Sequence, residues 1–114
     1  MESILISTKK LLGITAEENH FDDQIMTYIN SALITLNGLG VGPETPYIIT
    51  SEMDTWADAF GEETNVEMIK TYVYLKVRMT FDTPTLSFVA DAMNRQIEEF
   101  EWRLNSKFDV EANN

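Results

Sequence analysis

Residues 65–81 read Asn-Val-Glu-Met-Ile-Lys-Thr-Tyr-Val-Tyr-Leu-Lys-Val-Arg-Met-Thr-Phe, the longest densely apolar run in the chain. Its apolar positions fall at helical spacing on more than one face. Val66, Ile69, Val73 and Val77 make one row, and Met68, Tyr72, Leu75 and Met79 make a second. A helix apolar over so much of its circumference is touched from several sides, as inside a bundle. The rest of the chain therefore reads as layers packed around this helix, and Thr64-Asn65-Val66-Glu67 matches a capping box that opens it.

Working towards the N-terminus, Ser51 to Phe60 predicts a short helix capped by Ser51 or Asp54, ended by Gly61, with Trp56 and Phe60 one turn apart as a plug. Residues 38–46 hold three glycines and two prolines and must turn. Tyr47-Ile48-Ile49-Thr50 is the one good strand candidate, with Leu39-Gly40-Val41 as a possible hairpin partner. Phe21, Ile25, Ile29, Leu33 and Leu36 recur every three or four residues, which predicts a helix with Asp22 and Asp23 in its first turn. Thr15-Ala16-Glu17-Glu18 matches a second capping box, so that either one helical turn forms there or the segment loops over to Asp22. A first helix runs from a Ser3 cap to Gly13, its lysines favourably near the C-terminal dipole.

Beyond the central helix, Asp82-Thr83-Pro84 is a stop, because proline disfavours helical geometry in the residue before it. Thr83 or Thr85 starts a last helix to about Asn105, with Leu86, Val89, Met93, Ile97, Phe100 and Leu104 inward. Arg95–Glu99 and Glu99–Arg103 are spaced for ion pairs on its wet side. The fold class is all-α: a small helical bundle of about four to five helices with a short strand or hairpin near residues 39–50. Residues 1–105 form one domain and residues 106–114 a flexible tail.

A chain of 114 residues with 44% hydrophobic content is one domain with a real core. It has no cysteine, which excludes disulfides and thiolate metal sites. No apolar run approaches the ~20 residues that span a bilayer, and the start of the chain lacks the pattern of a secretory signal, so a soluble intracellular protein is expected. Net charge is −11, and between Lys10 and Lys70 there is no Lys or Arg against eleven Asp and Glu. Nucleic-acid binding needs clustered cations, so direct binding to DNA or RNA is not expected. The acidity is either a solvated surface or a negative field put to use.

No constellation points to catalysis. His20, the sole histidine, stands among Glu17, Glu18, Asp22 and Asp23. As a cation site this lacks the ligand alternation of a calcium loop and the His or Cys set of a zinc site, and it reads better as helix-start carboxylates. With one His and no Cys, the usual nucleophile–base pairs cannot be built. Gly38-Leu39-Gly40-Val41-Gly42-Pro43 has the glycine density of a phosphate loop but not its Gly-Lys-Ser/Thr ending. Glu62-Glu63 and Glu98-Glu99 read as solvated charges. Trp102 lies off the inner stripe of the last helix. It either seals the bundle edge or makes a subunit contact, as exposed Trp often does.

Several stretches together resemble the small head–tail connector (adaptor, or head-completion) proteins of long-tailed bacteriophages and prophages of Gram-positive bacteria. They are Lys10-Leu11-Leu12-Gly13-Ile14, His20-Phe21-Asp22 leading to Ile29-Asn30-Ser31, and Leu36 through Pro43. The set continues with Trp56, Lys70 through Arg78 with Phe81-Asp82 and Pro84, then Met93, Gln96-Ile97 and Glu101-Trp102-Arg103-Leu104. The resemblance covers about residues 4 to 105. It implies a non-enzymatic, mainly helical structural protein without cofactor, located at the virion head–tail junction after assembly in the host bacterial cytoplasm. Such connectors form a homo-oligomeric ring under the portal protein after DNA packaging, with twelve-fold symmetry matching the portal, though they can be monomeric before assembly. They extend the DNA channel and present a platform to the next tail-joining protein. C-terminal arms in related connectors reach toward the portal, which would employ the tail here.

In such a ring, candidate contacts are Trp56, Trp102 and Phe108, together with Tyr74, Lys76 and Arg78 on the central helix. The cation-free middle supplies a candidate acidic channel lining of Glu44, Glu52, Asp54, Asp58, Glu62 and Glu63. The rival class is a small acidic regulator that mimics DNA and occupies a nucleic-acid-binding protein. Small size and acidity favour it, and the lack of a carboxylate lattice along one face weighs against it.

Overall fold

The computed structural model describes residues 2–63 and 65–113, with residues 106–113 described by backbone alone. Its helices are α1 (Ile4–Leu12), α2 (Asp22–Gly38), α3 (Trp56–Phe60), α4 (Val66–Phe81) and α5 (Ser87–Asn113), so the chain is all-α as its periodicity predicts. The apolar run becomes α4, where Ile69, Tyr72, Val73 and Val77 are wholly enclosed and Leu75 nearly so. Against it pack α2, α5 and α1, and α1 also packs on α2. The stripe of α2 closes on α4 through Ile25, Ile29, Ala32, Leu33 and Leu36.

Three contacts fix the directions. The Phe21 ring meets Phe81 edge-on at 5.3 Å, which sets the start of α2 beside the end of α4. The Tyr72 hydroxyl donates to Glu101 Oε2 at 2.6 Å, and Asn105 Nδ2 donates to Leu39 O at 3.3 Å. Both α2 and α5 thus run antiparallel to α4. The molecule is a slab of 44 × 35 × 19 Å. A helix of 27 residues is ~40 Å long, close to the longest dimension of the slab.

The ends of α1 form as their residues dictate. Ser3 Oγ accepts from Ile6 N at 3.2 Å, and Gly13 takes the left-handed conformation (φ 83°) while Ile14 N donates back to Lys9 O. Lys9 and Lys10 both lie in the last turn as expected, but Lys9 does more than face the dipole. Only 1% exposed, it turns inward, and its Nζ donates to Glu18 O at 2.6 Å and Ala16 O at 3.3 Å. The same ammonium pairs with Asp22 Oδ1 at 2.8 Å. It thereby ties the loop after α1 to the start of α2. The Thr15–Glu18 capping box yields only a turn closed by Glu18 N to Thr15 O.

The strand or hairpin expected near residues 39–50 does not form among the described residues. Among the described residues, 46–50 find no backbone partner, and a side chain takes that place. Asn30 Nδ2 donates to Ile49 O at 3.0 Å, and Ile49 N donates to Asn30 Oδ1 at 2.8 Å. A carboxamide carries the same donor and acceptor as a peptide unit, so one Asn stands in for a strand. The backbone bridge that does form is Ser3 with Thr55.

The short third helix is capped by neither Ser51 nor Asp54. Thr55 Oγ1 accepts from Asp58 N at 3.1 Å while Asp58 Oδ2 accepts from Thr55 N at 3.0 Å, a capping box at the start of α3. Gly42 is left-handed (φ 96°), which favours glycine, and a Cβ there would also crowd the Phe60 ring at 3.0 Å. Asn65 precedes α4 without a side-chain cap, and Thr64, the first residue of the expected box, lies outside the described residues. Helix α5 starts later than expected, at Ser87, and its backbone runs on through residues 106–113, past the expected end near Asn105.

Candidate interaction surfaces

The side chains singled out in the sequence are not equivalent once folded. Trp56 is 4% exposed, its Nε1 donates to Ser7 Oγ at 2.8 Å, and its ring stacks on Phe60 with centroids 6.3 Å apart. It is core in this chain, and what reaches the surface beside it is a groove between α1 and α4. That groove is lined by Ser7, Lys10, Leu11, Lys70 and Thr71, and Lys70 pairs there with Glu2 and Glu67. Those two carboxylates, Glu2 first, raise the Lys70 ammonium above its ordinary pKa.

The scarce cations of α4 divide in the same way. Arg78 is used within the chain, donating from Nε to Asp82 O at 2.9 Å and from Nη1 to the Tyr74 hydroxyl at 3.1 Å. Lys76 is half-buried in the α2–α4 seam among Thr27, Tyr28, Ser31 and Thr80, with no ion pair among the described residues.

The acids of residues 44–63 split into two groups. Asp54 and Asp58 are built into the backbone. The Asp54 carboxylate accepts from Thr50 N at 2.8 Å, Ser51 N at 3.2 Å and the Tyr47 hydroxyl at 2.7 Å. These bonds, Thr50 N first, hold its pKa below the ordinary carboxylate value, and the bond to Asp54 pushes the Tyr47 phenol up to about 12. Asp58 is committed to the capping box, and Glu63 accepts from Asn65 N at 3.2 Å. Glu44, Glu52 and Glu62 are exposed and unpaired among the described residues, and so remain as a negative surface.

Helix α5 leaves large apolar side chains uncovered. Its inner side buries Ile97 and Leu104 on the core and half-buries Val89, Met93 and Phe100, but Leu86 stays outside. On the outer side, Phe88 and Trp102 are each 69% exposed. Phe88, Arg95 and Trp102 are seven residues apart, and seven residues return a helix to within ~20° of the same direction. They form one outward row of aromatic, cation, aromatic. The expected pair of Arg95 with Glu99 is absent, because Glu99 reaches forward to Arg103 at 2.8 Å. A glutamate N-terminal to its cation is the favoured order on a helix. Phe88 was not legible as a surface residue, since it differs from the inward Val89 only by one step of the helix. Phe108 lies outside the described side chains.

His20 is exposed, its ring edge-on to Phe21 at 4.6 Å. Among the described residues no group of three or more His, Cys, Asp and Glu could hold a metal ion, and no helix is long and apolar enough to cross a membrane.

One buried lysine, a capped turn and one uncovered aromatic row mark a thin, all-α slab. A family model described as phage connector protein matches residues 4–111, and the chain belongs to that family. No curated protein and no solved structure matches it. The matched range passes beyond Asn105 into residues 106–111, in keeping with the continuous α5 backbone. A phage connector is a structural rather than catalytic protein of the virion head–tail junction, acting by contact with other head and tail proteins.

Proposed function

We propose that copies of this chain assemble as a ring beneath the portal protein after DNA packaging, extend the DNA channel, and offer a platform to the next tail-joining protein. Twelve copies would match the symmetry of the portal. The observation that carries this reading is the uncovered row on α5 in a chain of the connector family. Two aromatic side chains left in water beside an unpaired guanidinium have the composition of a binding hot spot.

A ring built head to tail needs two different patches on each copy. Trp102 belongs to one of them, while Trp56, being core, supports its surroundings without touching a neighbour. The unpaired Glu44 and Glu62 are suited to face DNA, since like charge keeps a polyanion sliding rather than bound. Replacing Glu44 and Glu62 by Gln should leave ring assembly intact while slowing DNA ejection from completed particles. Unchanged DNA retention and ejection would sink the channel-lining assignment.

A further inference from the structure

Within residues 44–63, one short turn is held by a dense set of hydrogen bonds. Asp54 draws in the backbone N–H groups of Thr50 and Ser51 and the Tyr47 hydroxyl, and Ile4 N donates to Asp54 O at 3.0 Å. From the other side, Ser51 Oγ accepts from Met53 N at 3.1 Å. The turn is thus fastened at both ends and to α1, yet its two apical side chains are left out. Met53 is 79% exposed, the highest value among the large exposed hydrophobics, and Glu52 is exposed with no partner among the described residues. A preorganised apex has little ordering cost left on binding.

The outer row of α5 has the complementary chemistry. Arg95 is exposed and unpaired among the described residues, and it lies about 10 Å along the helix from Phe88 on one side and Trp102 on the other. Guanidinium and carboxylate make short two-point hydrogen bonds, and a thioether packs well against an aromatic ring.

We propose that the Ser51–Asp54 turn of one copy docks on the α5 row of the next copy, Glu52 pairing with Arg95 and Met53 lying against Trp102. This rests on the ring reading above and names the two patches of its interface. Both belong to one chain and neither covers the other within it, which is the arrangement of a head-to-tail contact. It also removes Glu52 from the channel lining.

The chain has no native cysteine, so single-thiol variants report contacts between copies without ambiguity. Chains carrying Glu52→Cys are mixed with chains carrying Arg95→Cys on portal-bearing, DNA-filled heads and treated with a short thiol-to-thiol linker. Linked pairs of position 52 with position 95 should outnumber 52–52 and 95–95 pairs. In parallel, Glu52→Arg or Arg95→Glu alone should weaken retention on heads about tenfold or more, and chains carrying both changes should recover it. Both sites are exposed, so each variant should melt like the wild type. Rings at wild-type copy number without the 52–95 link overturn the docking and leave the ring reading standing. So does a link from position 52 to a thiol placed at position 76 in its stead. Failure of the wild-type chain to bind the heads overturns the ring reading, and the docking falls with it.

Discussion

Lys9 is the residue whose role differs most from its surroundings in sequence. Two adjacent lysines at a helix end read as dipole partners, and Lys10 is indeed exposed. Lys9 instead closes a loop on two carbonyls and one carboxylate. No local pattern marks such a cation, because its acceptors come from residues 16, 18 and 22, brought round by the Gly13 turn. Removing one member of a buried charged set leaves the others unsatisfied. Asp22 retains some solvent, so Lys9→Ala should cost about 2–3 kcal/mol, less than a fully buried pair. The urea midpoint measures this, and an unchanged midpoint would show that the staple is idle.

Asp54 gives a pH-dependent counterpart. Its pKa is lowered in the folded chain, so its contribution is present above the unfolded value near ~3.9 and is lost as pH falls through the folded value. Asp54→Asn should therefore destabilise by about 1 kcal/mol near neutrality, the usual scale of a lost cap. The gap between variant and wild type should narrow below about pH 4. Thermal melts across that range check the sign. A gap that widens on acidification would contradict it.

Among the elements, α4 was the most legible, since its two apolar rows both end in the core. Helix α2 and the Ser3 and Gly13 caps of α1 were legible for the same reason: each follows from local periodicity or a local hydrogen bond. The Tyr47–Thr50 strand was not, because β-branched residues announce an extended backbone but cannot say that Asn30 will supply its partner. Nor were the surfaces fully legible. Trp56 was expected as a plug with Phe60 and also as a ring contact, and Trp102 as either a bundle seal or a subunit contact; packing separates the ring hydrogen-bonded to Ser7 from the one left in water. That difference is measurable. Trp56→Ala should lower stability by about 3–5 kcal/mol, the scale of an emptied aromatic core site. Trp102→Ala should change it by less than about 0.5 kcal/mol, as surface substitutions do, while impairing assembly. Global unfolding of the Trp102 variant would return that residue to the core.

For the molecule as a whole, the net charge of −11 is distributed between structural and surface uses. Some carboxylates are consumed in caps and turns, others remain on the surface, and the cations unpaired among the described residues stand apart on α1, α4 and α5. A slab so arranged is suited to work by contact with other head and tail proteins. The connector family places that work at the head–tail junction. The central claim is the ring itself, and imaging tests it most directly. Purified wild-type chain is added to DNA-filled, portal-bearing heads lacking their own connector, and the portal vertex is reconstructed. The account predicts a new helical collar beneath the portal, coaxial with the DNA channel, with one copy per portal subunit. A vertex indistinguishable from that of untreated heads, or chain bound away from the channel axis, would contradict it.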